Sequence, residues 1–283
     1  MKLRSAVACL VLLAAVFAAA GCAALGSSAT DSTEQDTTTL APTTTTTLSQ
    51  AQVALGTMTV RQKAAQVLLV SFSGTSLGAE TSALLGAGPP GGLLLHASNF
   101  TDASQLGNLT AALEQAAAAT GSPVGLLIAV DQEGGKIQRI TGGVPLLPSA
   151  RELGTNSSPS EASELARRTA RGLLDMGVNV NLAPVADVVA DKKSFLYDRS
   201  YGSDPALVSD YVTAVVQAEQ GQGLICVVKH FPGHGSAPGD THQAAAVSHD
   251  TVEQFDTIHL PPFRSAKGVT QSQTEQRNVS KEF

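Results

Sequence analysis

Five short apolar runs punctuate the chain, at residues 67–70, 92–95, 124–130, 178–185 and 224–228. They are apolar throughout rather than at alternate positions, and most end in polar residues, a pattern that predicts strands buried on both faces. Helical patterns lie between several of them. Thr59 is placed to cap a helix carrying Ala64, Ala65 and Val67, near the point, about Thr57, where regular structure is expected to begin. Leu106, Leu109 and Leu113 recur at helical spacing. Ser158-Pro159-Ser160-Glu161 is a capping box with proline at the first helical position, opening a segment that ends at Gly177. Asp204-Pro205 opens another, with Val208, Tyr211, Val212 and Val215 on one face.

Strands that alternate with helices predict an α/β fold around a parallel sheet. An open doubly wound sheet and a (β/α)8 barrel both fit the pattern. A barrel needs eight strands in about 250 residues, and only five strands are present by Val228. After Leu260-Pro261-Pro262-Phe263-Arg264 the chain changes character. Residues 268–283 are polar, rich in glutamine and without periodicity, and read as an atypical tail rather than a sixth strand.

Composition adds an export signal. Lys2 and Arg4 precede an Ala-rich apolar stretch at residues 6–20, and Ala19-Ala20-Gly21-Cys22 follows. Small residues before a cleavage point mark a secretory signal peptide. A cysteine just after that point resembles the bacterial lipobox. The expectation is a lipoprotein signal peptide over residues 1–21 and a diacylated Cys22, which would make the protein exported and lipid-anchored on the extracytoplasmic face of the cell membrane. A plain signal peptide with an incidental cysteine is the alternative. Residues 22–50 are dominated by Ser and Thr and predict a disordered linker. The globular part is then 51–267, in which Cys226 is the one cysteine, so no disulfide can form within it. A formal charge of -6, with no basic stripe and no interleaved aromatics, argues against nucleic acid. No protein partner is evident.

The densest chemistry is Lys229-His230-Phe231-Pro232-Gly233-His234-Gly235, followed by Asp240-Thr241-His242. His230 and His234 have the spacing of zinc helices, but Pro232, Gly233 and Gly235 rule out a helix there, and no metal is expected. A carboxylate two residues from a histidine can orient its ring and stabilise the imidazolium, so Asp240 and His242 read as an acid/base dyad. Lys229 ends an apolar run and can donate hydrogen bonds to a polar ligand. A loop held by its own side-chain hydrogen bonds is the bland alternative. Asp131, at the end of the run at 124–130, can accept bonds from hydroxyls, and Arg199 can anchor a polar group through its fork of donors.

These motifs resemble glycoside hydrolase family 3, in its bacterial β-N-acetylhexosaminidase branch, from about Thr57 to Arg264. The resemblance is carried by Met58-Thr59-Val60-Arg61-Gln62-Lys63, Val130-Asp131-Gln132-Glu133-Gly134-Gly135, Leu182-Ala183-Pro184-Val185-Ala186-Asp187, Asp198-Arg199-Ser200-Tyr201 and the histidine-rich stretch. It implies a TIM (β/α)8 barrel, here incomplete at about five of eight β/α units, and a retaining mechanism without cofactor. It makes His242 the general acid/base and Asp240 its partner. Asp131, Arg199, Lys229 and His230 would bind an N-acetylglucosamine unit of a glycan or muropeptide, and His234 would shape the loop. Lys136 stands where many relatives carry arginine.

A retaining glycosidase also needs a nucleophile. In the family this is an aspartate after the seventh strand, and Asp250 and Asp256 come too early for that role. The expectation is therefore a C-terminally truncated, inactive form of an enzyme that removes terminal β-linked N-acetylglucosamine from peptidoglycan fragments. A β-glucosidase of the same family and a non-catalytic sugar-binding surface lipoprotein are the alternatives.

Overall fold

A computed structural model describes residues 49–241 and 243–269. The expected signal peptide, Cys22, nearly all of the linker, His242 and residues 270–283 lie outside them. In chain order, α1 (Gln50–Thr57) and α2 (Val60–Ala65) lead to β1 (Leu69–Ser71), α3 (Ala79–Gly86), β2 (Gly92–Leu95) and α4 (Ala103–Ala118). Next come β3 (Leu127–Val130), β4 (Gln132–Gly134), β5 (Ile137–Gln138), α5 (Ala150–Asn156) and α6 (Pro159–Asp175). The chain continues through β6 (Val180–Asn181), α7 (Pro205–Gly221), β7 (Ile225–Cys226), α8 (Val252–Gln254) and a π-helical turn, Phe255–His259. Residues 261–269 are helical.

The main sheet is parallel throughout, in the order β1-β2-β3-β6-β7, while β4 and β5 form a separate antiparallel ribbon. This order decides between the two expected architectures. A doubly wound sheet reverses its strand order at a switch point, and here the order never reverses. Right-handed crossovers in an unreversed order put the helices on one face, as in a barrel. The described residues therefore form five consecutive β/α units of an open barrel-like sheet.

On one sheet face the strand residues pack against helices for a reason visible in the sequence. Leu93, Leu95, Ile128 and Val130 pack against Leu85 of α3 and Leu106, Leu109 and Leu113 of α4. A second cluster joins Ala162 and Ala166 of α6 to Val208, Tyr211, Val212 and Val215 of α7. Ser158 and Glu161 make the expected capping box at α6, and Asp204 caps α7. The other sheet face is only partly covered: Ala129 and Val180 are buried, while Leu69, Leu127 and Ile225 are 44%, 43% and 47% exposed. Leu69 and Leu127 flank Gly92 in register, and a Cβ on Gly92 would lie 2.4 Å from the Leu127 carbonyl oxygen.

Three expectations need correction. Among the described residues, regular structure starts at Gln50 rather than near Thr57, because Ser49 and Gln52 form a capping box that nucleates α1 without burying any residue. The helix capped by Thr59 stops at Ala65, leaving Val67 exposed. The tail boundary at 268 falls inside a helix whose Ala266 and Val269 are buried.

Candidate active site

A parallel sheet brings the carboxyl ends of all its strands to one edge, where ligands bind in such folds. Asp131 follows β3, residues 182–187 follow β6, and Lys229 follows β7 and bridges to Val185. Residues two apart on an extended strand point the same way. Asp131 and Glu133 are so related, and both reach the Lys229 ammonium, at 2.5 and 2.7 Å.

Glu133 is the centre of the cluster. It also accepts two hydrogen bonds from Arg199, each 2.8 Å, and its side chain is only 4% exposed. A bidentate guanidinium–carboxylate pair is a strong, directional contact. Burial works against the Arg199 charge, but the hydrogen bonds and charge of Glu133, with Asp187 and Asp131 beyond, outweigh it and raise the Arg199 pKa.

Asp187 performs the same service for the histidines. It is fully buried and accepts the backbone N–H groups of His230 at 3.2 Å and His234 at 2.6 Å. His230 Nδ1 lies 2.6 Å from the same carboxylate, and its Nε2 lies 3.3 Å from Arg199. A guanidinium can only donate. His230 Nε2 must therefore be the acceptor, which places the ring proton on Nδ1, directed at Asp187. The loop bearing Arg199 is held by Arg151, which donates to the carbonyls of Val189 and Tyr197 and lies over the Tyr197 ring.

Behind the site lies a buried polar relay. The Asn181 amide accepts the Gln132 N–H at 3.2 Å and donates to the Glu219 carboxyl at 2.9 Å. Burial pushes the Glu219 carboxyl up to about 7, against the hydrogen bonds from Cys226 and Asn181. The Cys226 thiol, half-buried rather than buried as its apolar run predicts, is pushed up by burial and by Glu219.

Of the residues singled out in the sequence, Asp131, Arg199, Lys229, His230 and His234 line one cavity of about 350 Å³, together with Glu133. His234 Nε2 is buried without a hydrogen-bond partner among the described residues, and its ring edge meets Phe195 at 5.3 Å. Asp240 does not line that cavity; it lies beside Phe195 and Arg199 on an adjoining one of about 510 Å³. The neighbouring Thr241 does line the smaller cavity. Lys136 pairs with Asp198 at 3.2 Å on the surface, 87% exposed, where such pairs contribute little. Sequence reasoning missed Glu133 and Asp187 as functional groups, although both stand in the quoted motifs. The two-residue spacing from Asp131 was the available signal for Glu133. Nothing local marks Asp187 as the acceptor for a loop more than forty residues away.

The chain is 36% identical over 203 residues to a beta-hexosaminidase of Nitrosomonas eutropha, covering 70% of this chain and 57% of that relative. It is 35% identical over 216 residues to the beta-hexosaminidase LpqI of Mycobacterium tuberculosis, covering 75% of this chain and 52% of LpqI. The chain thus spans a little over half the length of these relatives. A solved glycoside hydrolase family 3 beta-N-acetylglucosaminidase from Paenibacillus superposes with a TM-score of 0.71 at 33% identity, over 74% of this chain and 40% of that one. The model of the glycosyl hydrolase family 3 N-terminal domain matches residues 59–273. The chain belongs to glycosyl hydrolase family 3.

Proposed function

We propose that this chain carries the sugar-binding and acid/base half of a retaining β-N-acetylhexosaminidase that removes terminal β-linked N-acetylglucosamine from peptidoglycan fragments. The observation that carries this reading is the closed network of Asp131, Glu133, Lys229, Arg199, His230 and Asp187 around one cavity at the strand ends. Such fixed donors and acceptors suit a ring of hydroxyls and an acetamido group. His242, partnered by Asp240, would protonate the glycosidic oxygen as the anomeric carbon bonds to a nucleophilic carboxylate; the neutral leaving group departs, and the same histidine then takes a proton from the water that displaces that carboxylate. Relatives named beta-hexosaminidase support the choice of sugar.

A retaining reaction also requires a carboxylate free to attack the anomeric carbon. The carboxylates that line the cavity among the described residues, Asp131 and Glu133, are both ion-paired. Asp250 and Asp256 are engaged by His259 and Arg264. This favours, as a second reading for the chain as given, sugar binding without turnover. Hydrolysis of an aryl N-acetylglucosaminide by the purified chain tests the two. Turnover abolished by His242→Ala supports the hydrolase; binding of N-acetylglucosamine without turnover, lost in Asp131→Ala, supports the second reading. No binding at all would defeat both.

Export and anchoring through Cys22 complete the proposal and place the site outside the cytoplasm, where peptidoglycan is. Membrane retention lost on Cys22→Ser supports the anchor, and retention unchanged by that substitution removes it.

A further inference from the structure

The sequence stretch from Ser236 to Ser248 includes Asp240 and His242. Both of its ends meet one side chain. Asp250 accepts hydrogen bonds from the Ser236 hydroxyl and, at 2.9 Å, from the Ser248 hydroxyl. The Asp250 N–H donates to the Ser248 oxygen at 3.2 Å, and the two serine oxygens are 3.4 Å apart. His259 holds this carboxylate from below. Its Nε2 is 2.9 Å from Asp250 Oδ2, and its ring is 2% exposed and packed on Phe255. The fit is tight at the loop's root as well: a Cβ on Gly233 would lie 2.5 Å from His259 Cβ, and one on Gly235 would lie 2.0 Å from the Val188 carbonyl oxygen.

We propose that Asp250, seated on His259, is a positioning residue: it clasps the two ends of the 237–247 segment and so holds Asp240 beside Phe195 and Arg199. The bearing on catalysis rests on the glycosidase reading above; the clasp itself does not. Much of the segment is exposed. One carboxylate that joins both ends of a loop therefore governs how often it opens. The Ser236 hydrogen bond first, then those from Ser248 and His259, hold the Asp250 carboxyl below its ordinary range against the opposing effect of burial. The other charged groups on the cavity beneath are Asp191, Lys193 and Asp240. The clasp is thus complete above the ordinary carboxylate range and is lost as pH falls through the lowered Asp250 value.

Amide hydrogen exchange on the full chain tests this. At pH 7, Asp250→Asn is expected to speed exchange in residues 237–247 by about tenfold while leaving β3 and α7 unchanged, and His259→Gln, which retains a donor, to do so less than His259→Ala. In the parent chain, exchange corrected for its intrinsic pH dependence should accelerate on acidification, and Asp250→Asn should flatten that profile. No change in 237–247, or an equal change across the whole chain, overturns the clasp. N-acetylglucosamine titration of the same samples reports separately on the sugar site, so its failure counts against the glycosidase reading and not against the clasp.

Discussion

Glu133 receives Arg199 through both carboxylate oxygens at 2.8 Å, on a side chain that is almost fully buried. Removing one partner of a buried ion pair leaves the other charge uncompensated, at a cost of about 3 kcal/mol. Glu133→Ala exposes Arg199 to this penalty, while Lys229 keeps Asp131 as its partner. The urea midpoint of Glu133→Ala should fall accordingly, and a shift within error of the parent would show that the cluster is not coupled to folding.

Asp187 accepts two backbone N–H groups and faces a ring nitrogen, at zero exposure. Hydrogen bonds to a charged acceptor contribute about 1.5–3 kcal/mol each. Asp187→Ala should lower stability by about 3 kcal/mol in denaturant titration and abolish sugar binding by releasing His230. Sugar affinity retained in a folded Asp187→Ala chain would contradict the positioning role.

Glu219 makes stability depend on pH in an unusual sense for an acid. Burial lifts its pKa from 4.5 to about 7, so between these values the folded chain holds a proton that the unfolded chain has lost. The stabilisation from this group is whole below 4.5 and is lost as pH rises through about 7, an effect on the order of 3 kcal/mol. Urea midpoints at pH 5 and pH 8 should differ more in the parent than in Glu219→Gln. An identical pH dependence in the two chains would show that Glu219 ionises freely.

Two glycines on helices should respond oppositely to alanine. A Cβ on Gly154 of α5 would lie 1.9 Å from the Tyr201 carbonyl oxygen, so Gly154→Ala should destabilise by about 1–3 kcal/mol. Gly107 of α4 has nothing within 4 Å of a Cβ, and Gly107→Ala should stabilise by about 0.5–1 kcal/mol. Thermal melts of the two variants decide the matter, and equal signs would refute the packing described at one of the sites.

The exposed part of the sheet face predicts self-association. Leu69, Leu127 and Ile225 present apolar side chains to solvent beside two strand edges. Exposed edges and apolar patches favour aggregation. Sedimentation of the chain should show concentration-dependent association, reduced in the double variant Leu127→Ser with Ile225→Thr. A monomer at all concentrations would contradict this.

The five strands were legible because apolar runs bounded by polar residues leave few alternatives, and α4, α6 and α7 because caps and helical spacing agree. The runs at 178–185 and 224–228 shrink to the two-residue ladders Val180–Asn181 and Ile225–Cys226, since Pro184 lacks the N–H that a longer ladder needs. The β4–β5 ribbon was not legible: its pairing runs between Gln132 and Gln138 around Gly134 and Gly135, with too few residues to show a period. The site residues were legible as residue types at strand ends. Their partners were not, because Glu133–Arg199 and Asp187–His230 join positions that only the sheet brings together.

The single carboxylate of Glu133 ties the ribbon after β3 to the loop after β6 and, through Lys229, to the end of β7. The wall of this cavity is therefore also a fastener between successive β/α units. A descendant chain released from any need to turn over substrate would still be under pressure to keep Glu133, since losing it would loosen three segments at once, and Arg199 and Lys229, each of which fastens one of them. In such a lineage the motif would outlast the reaction, as a record of folding.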